Sequence, residues 1–169
     1  MRSMGGASFD VGYGIAVDGS GNIYLTGSYQ DTATFGSTKV LTSVGSYDVF
    51  IAQYSSSGLI QWVRSVGGAS FDSGYSIAVD GSSNVYVTGS YQGTATFGST
   101  ILTSVGSEDV FVAQYNSSGS IQWVKSGGGT ISDIGKDIAV DELGNVYVTG
   151  SYYGAAFFGE TTLASAGGG

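Results

Sequence analysis

Short apolar words rich in Val, Ile, Tyr and Phe take turns with polar Gly- and Ser-rich links along this chain. One run of them reads "GYSIAVD" (74–80), "NVYVTGSY" (84–91), "DVFVAQY" (109–115) and "SIQWVKS" (120–126). A period of two marks β-strands, and β-branched and aromatic side chains suit a pleated, packed surface. No stretch sustains the three-and-four spacing of an amphipathic helix, so essentially no helix is expected. In "DVFVAQY" one face carries Val110, Val112 and Gln114 and the other Phe111, Ala113 and Tyr115; in "NVYVTGSY" the faces are Val85, Val87, Gly89 and Tyr91 against Tyr86, Thr88 and Ser90. Both faces are apolar or small, which predicts strands covered on both sides rather than a sheet with one wet face.

The words recur. "IAVD" stands at Ile15–Asp18, Ile77–Asp80 and Ile138–Asp141, and the eighteen residues Asp48–Ser65 and Asp109–Ser126 differ at only four positions. The units run over 5–66, 67–126 and 127–169, and the third lacks any "DVFVAQY" or "IQWV" word. Gly, Ser and Asn turns join the first word to the second and the third to the fourth, as antiparallel hairpins require. The longer link between the second and third words, "QGTATFGSTILTSVGSE", contains the makings of a small extra hairpin. A repeated four-stranded meander covered on both faces predicts an all-β protein built as a β-propeller from four-stranded antiparallel blades, about 2.5 per chain, in a single repeat region over 1–169. A β-solenoid or stacked array of sheets is the competing arrangement.

The run "GYSIAVDGSSNVYVTGSY…ATFG…LTSVGSEDVFVAQYNSSGSIQWVKSGGG" resembles the bacterial SBBP-type β-propeller repeat, across nearly the whole chain. That resemblance implies a module of secreted or cell-surface bacterial proteins without assigned chemistry. Closed propellers hold four to eight blades. The open terminal blades would therefore expose broad apolar faces, which predicts either ring completion by homo-oligomerisation or a fragment of a longer propeller.

Composition narrows the function further. Five Lys or Arg against thirteen Asp or Glu give a net charge of -8, which argues against nucleic acid as a partner. The apolar runs are too short for membrane insertion. Neither Cys nor His is present, which removes thiolate and imidazole metal ligands and the commonest general base. Asp10, Asp72 and Asp133, Asp18, Asp80 and Asp141, and Asp48 with Asp109 recur in register. The "DGSGN" of Asp18–Asn22 has the look of half a calcium loop, but lacks its further acidic positions and closing Glu, so a turn role is expected. No unique carboxylate pair marks a glycosidase. No metal, cofactor or catalytic residue is expected. Trp62 and Trp123 are read as packing between blades, and "NSS" at Asn116 as a turn. Tyr29, Gln30, Tyr91 and Gln92, where a strand runs out into the long link, are the candidate ligand-binding residues. The resulting expectation is a non-enzymatic structural or interaction scaffold that self-associates through its terminal blades, with protein or glycan ligands possible and multivalent carbohydrate binding as the alternative.

Overall fold

The computed structural model describes residues 4–165. In chain order its strands are β1 (Met4–Gly6), β2 (Asp10–Val17), β3 (Ile23–Tyr29), β4 (Thr32–Phe35), β5 (Lys39–Thr42), β6 (Asp48–Tyr54), β7 (Ile60–Gly68), β8 (Asp72–Val79), β9 (Val85–Tyr91), β10 (Thr94–Phe97), β11 (Thr100–Thr103), β12 (Asp109–Tyr115), β13 (Ile121–Gly129), β14 (Ile134–Val140), β15 (Val146–Ser151), β16 (Ala155–Phe158) and β17 (Thr161–Ala164). No helix occurs among the described residues.

The predicted words pair as antiparallel meanders. β2, β3, β6 and β7 lie side by side, as do β8, β9, β12 and β13, while β14 and β15 start a third sheet. Register is continuous between β3 and β6, from Ile23 opposite Tyr54 to Tyr29 opposite Asp48, and again between β9 and β12, from Val85 opposite Tyr115 to Tyr91 opposite Asp109. Every residue of β6 and β9 is buried, as strands with two covered faces require.

The sheets are larger than the four strands expected. The hairpin in the long link forms, but it joins the preceding sheet: β10 pairs with the end of β7 through Ala95 opposite Gly68 and Thr96 opposite Gly67, so β10 and β11 become that sheet's outer strands. β16 adds to β13 in the same way, and β4 to β1. The cause is side-chain burial. Phe97 must reach the Phe111 ring, 5.0 Å away between centroids, and the Tyr91 ring at 6.2 Å. That position brings the hairpin's open edge against the end of β7, where its peptide groups find partners they would otherwise lack.

Two apolar clusters follow. The larger lies between the first two meanders, with Val49, Ile51, Trp62, Val66 and, on β10, Phe97 from the first sheet and Ile77, Val85, Val87 and Phe111 from the second. The smaller occupies the far face of the first meander under β4 and β5, around Tyr29, Phe35, Phe50 and Tyr54.

Candidate functional site

Each repeat closes its first hairpin with one Asp. Asp18 Oδ1 accepts the Ser20 and Asn22 backbone N–H groups, and Oδ2 accepts the Asn22 side-chain amide and the Tyr24 hydroxyl, all at 2.9 Å. Burial opposes ionisation there, yet those bonds prevail and hold the Asp18 carboxyl at about 2. Asp80 repeats the pattern with Ser82, Asn84 and Tyr86, and Asp141 with Leu143, Asn145 and Tyr147. The carboxylates are thus filled by the chain's own donors, as a turn role requires. Among the described residues no group of three or more acidic side chains is arranged to hold a metal ion. The third strand then completes the relay: Gln53 donates to the Tyr24 hydroxyl at 3.1 Å, and Gln114 to that of Tyr86 at 2.9 Å.

A second device joins one meander to the next. Trp62 Nε1 donates to the Ser117 carbonyl at 3.0 Å, and Arg64 donates to the carbonyls of Gly119 at 2.7 Å and Ser118 at 3.1 Å. The guanidinium carbon lies 5.6 Å from the Trp62 ring centre. This clasp grips the β12–β13 turn. Gly119 has φ +73°, and a β-carbon there would stand 2.6 Å from the indole, so the turn needs Gly for both conformation and space. The clasp went unforeseen, although "QWVR" and "QWVK" carry a cation two places after Trp in both complete repeats.

Carboxylates also meet at the joints. Asp48 and Asp72 are buried, and Asp48 Oδ1 and Asp72 Oδ2 lie 2.6 and 2.8 Å from the point a Gly67 β-carbon would occupy. Asp72 accepts the Gly68 and Gln92 backbone N–H groups, while Asp48 Oδ1 has no donor. Burial first, then the neighbouring charges of Asp48 and Glu108, push the Asp72 carboxyl up to about 7 against those two bonds. Asp109 likewise carries an unpartnered Oδ1, beside Gly128, and its pKa is raised by burial and by Asp133.

The candidate ligand residues stand where β3 and β9 run out into the long links. Tyr29 and Tyr91 are buried, with hydroxyls bonded to Ser65 at 2.6 Å and Ser126 at 2.7 Å. Neither ring offers a face for stacking. The strand's outward end turns inward under the crossing hairpin, which the linear sequence did not reveal. Gln30 and Gln92 are half-buried beside them, and Gln92 contributes its backbone N–H to Asp72. Trp62 is buried at the joint as a packing residue, whereas Trp123 is half-buried.

The third sheet presents a further surface. Among the described residues β15 pairs with β14 on one side and with no strand on the other. Beside it lie two adjoining open cavities. One, of about 320 Å³, is lined by Val110, Gly150, Tyr152, Phe158 and Leu163. The other, of about 600 Å³, is lined by Val112, Trp123, Lys125, Val146 and Val148. Tyr147 is 57% exposed, against 0% for Tyr24 and 3% for Tyr86 in the finished meanders. Chemically, the groove offers free peptide groups and an apolar floor rather than a reacting centre.

Tandem antiparallel meanders, joined face to face by clasps and crossing hairpins, define a protein of the propeller-repeat class. The beta-propeller repeat profile, SBBP, matches residues 5–28, 61–90 and 126–151, so the chain carries three copies of that repeat. It is also similar to an uncharacterised WD repeat-containing protein of Acanthamoeba polyphaga mimivirus, with 34% identity over 153 residues that cover 75% of this chain. The chain spans 11% of that relative's length.

Proposed function

We propose that this β-propeller repeat protein is a non-enzymatic interaction scaffold that associates with further copies of itself through its open sheet faces. The observation that carries this reading is the fate of one residue across the repeats: Ile77 and Ile138 are 5% and 6% exposed beneath the preceding meander, whereas their equivalent Ile15 is 67% exposed. Val17, two residues along the same strand, is exposed too, where its equivalents Val79 and Val140 are half-buried. Apolar positions that the same protein covers wherever a neighbour is available mark an interaction face. Similarity to a WD repeat-containing protein supports the scaffold class. Multivalent glycan binding through Tyr29 and Tyr91 has weaker support, because both rings are buried.

Light scattering on the purified chain tests the proposal. Assembly is expected to grow with concentration, and Ile15→Lys is expected to disperse it without changing the circular dichroism spectrum. A chain that stays monomeric at all concentrations overturns self-association.

A further inference from the structure

We propose that the groove beside β15 is a docking site for a β-hairpin with the repeat's third- and fourth-strand sequence. The hairpin pairs with the free edge of β15 and seats its turn on Trp123 and Lys125. This rests on the scaffold reading but concerns a different surface from the Ile15 face, so the two stand or fall by different measurements.

The molecule shows twice what fills such a groove. β3 and β9, the counterparts of β15, are each paired on both sides, their second neighbours being β6 and β12. The first seat is for a Phe. Phe50 lies over Gly27, where a β-carbon would come within 2.7 Å of its ring, and 5.1 Å from the Phe35 centroid; Phe111 lies over Gly89, at 2.8 Å by the same measure, and 5.0 Å from Phe97. The matching pair at the next joint is Gly150 on β15 and Phe158 on β16, and both line the cavity of about 320 Å³. A Phe in the third position of an incoming strand drops into that space.

The second seat is for the turn. Trp123 and Lys125 stand opposite Gln114 and Val112, as Trp62 and Arg64 stand opposite Gln53 and Ile51. Both line the cavity of about 600 Å³ where Trp62 and Arg64 instead grip Ser117, Ser118 and Gly119. Lys replaces the guanidinium fork with a single ammonium, so it grips fewer carbonyls at once. The third contact is Tyr147, whose hydroxyl already donates to Asp141 at 3.1 Å and, unlike Tyr24 and Tyr86, receives no Gln amide. The Gln of the incoming strand supplies it. The ligand is therefore a strand pair with Phe third and Gln sixth in its first strand and a Gly-containing Ser turn, recognised by strand addition with side-chain pockets.

The test is titration of the full chain into a fluorescein-labelled peptide of the Asp109–Ser126 sequence, followed by anisotropy, with hydrogen exchange of the complex. Saturable one-to-one binding is expected, with protection appearing across β15. Phe111→Ala or Gly119→Val in the peptide is expected to weaken binding at least tenfold, and Val148→Glu in the chain to abolish it. No binding, binding indifferent to all three substitutions, or protection confined to the β2 face would each overturn the proposal. So would a groove already occupied by a second copy that excess peptide fails to displace.

Discussion

Replacing Asp48 by Asn is expected to stabilise the protein at pH 8 and to leave it nearly unchanged at pH 4. Asp48 is buried with Oδ1 lacking a donor, directed to the same point beside Gly67 as Asp72 Oδ2. Burial, with further contributions from the Asp48 and Glu108 charges, raises the Asp72 carboxyl to about 7, and burial raises Asp48 as well. In the unfolded chain both titrate at ~4. As pH rises through that value, the unfolded state sheds protons that the native state retains, so stability falls until Asp72 ionises at about 7 and is flat above that. For Asp72 alone the ceiling on that loss is ~4 kcal/mol, at ~1.4 kcal/mol per pKa unit. Most of it is desolvation, which the Asp48→Asn change leaves in place. Two carboxylates ~5 Å apart at an effective dielectric of ~20 repel by ~3 kcal/mol when fully charged. Partial protonation of the raised pair reduces the recoverable gain to ~1–2 kcal/mol. The introduced amide also brings a donor to the vacant position, while its oxygen keeps the bonds from Val44 and Ser65. Urea unfolding at pH 4, 6 and 8, read by tryptophan fluorescence, measures the difference. A gain equal at pH 4 and pH 8, or a loss at pH 8, would refute carboxylate repulsion as the cause.

Other joints make equally definite predictions. Trp62→Ala removes the indole and its bond to Ser117, and is expected to cost ~3–5 kcal/mol in the same urea assay. Trp123→Ala, on the half-covered equivalent, is expected to cost less than half as much. Asp80→Ala strips the acceptor from Ser82, Asn84 and Tyr86 and is expected to lower stability by ~1–2 kcal/mol, with the freed Tyr86 hydroxyl visible as a shift in the tyrosine ultraviolet spectrum. Because Asp18 is held at about 2, below its unfolded value, its contribution is present above pH 4 and is expected to fade as pH falls toward 2. Asp18→Asn should flatten that acid limb of an unfolding profile.

Local structure was legible because local rules governed it. Alternation in "DVFVAQY" placed Val110 and Phe111 on opposite faces, and both side chains are buried. The "DGSGN" turn was readable because Asp18 and Asn22 satisfy one another within five residues. What the linear order concealed lay between repeats. Nothing in "TATFGSTILT" says that its outer edge will bond Gly67 and Gly68 at the end of β7, and so join the preceding sheet, since that choice depends on where the Phe111 ring needs cover. The burial of Tyr91 was hidden for the same reason. It ends a strand, as the sequence says, and the crossing hairpin roofs it over. The Arg64 clasp spans 55 residues of sequence, and only the pairing of charge with Trp in both copies hinted at it.

The crossing of β10 and β11 onto β7 puts the unit of duplication out of phase with the unit of folding. The profile match over 61–90 itself begins in one sheet and ends in the next. A cut at the textual boundary near Gly67 would strip one sheet of its outer strands and orphan the hairpin that supplied them. Gene-level shuffling of such repeats therefore cannot deal out self-sufficient modules. Each added copy finishes its predecessor and waits for a successor.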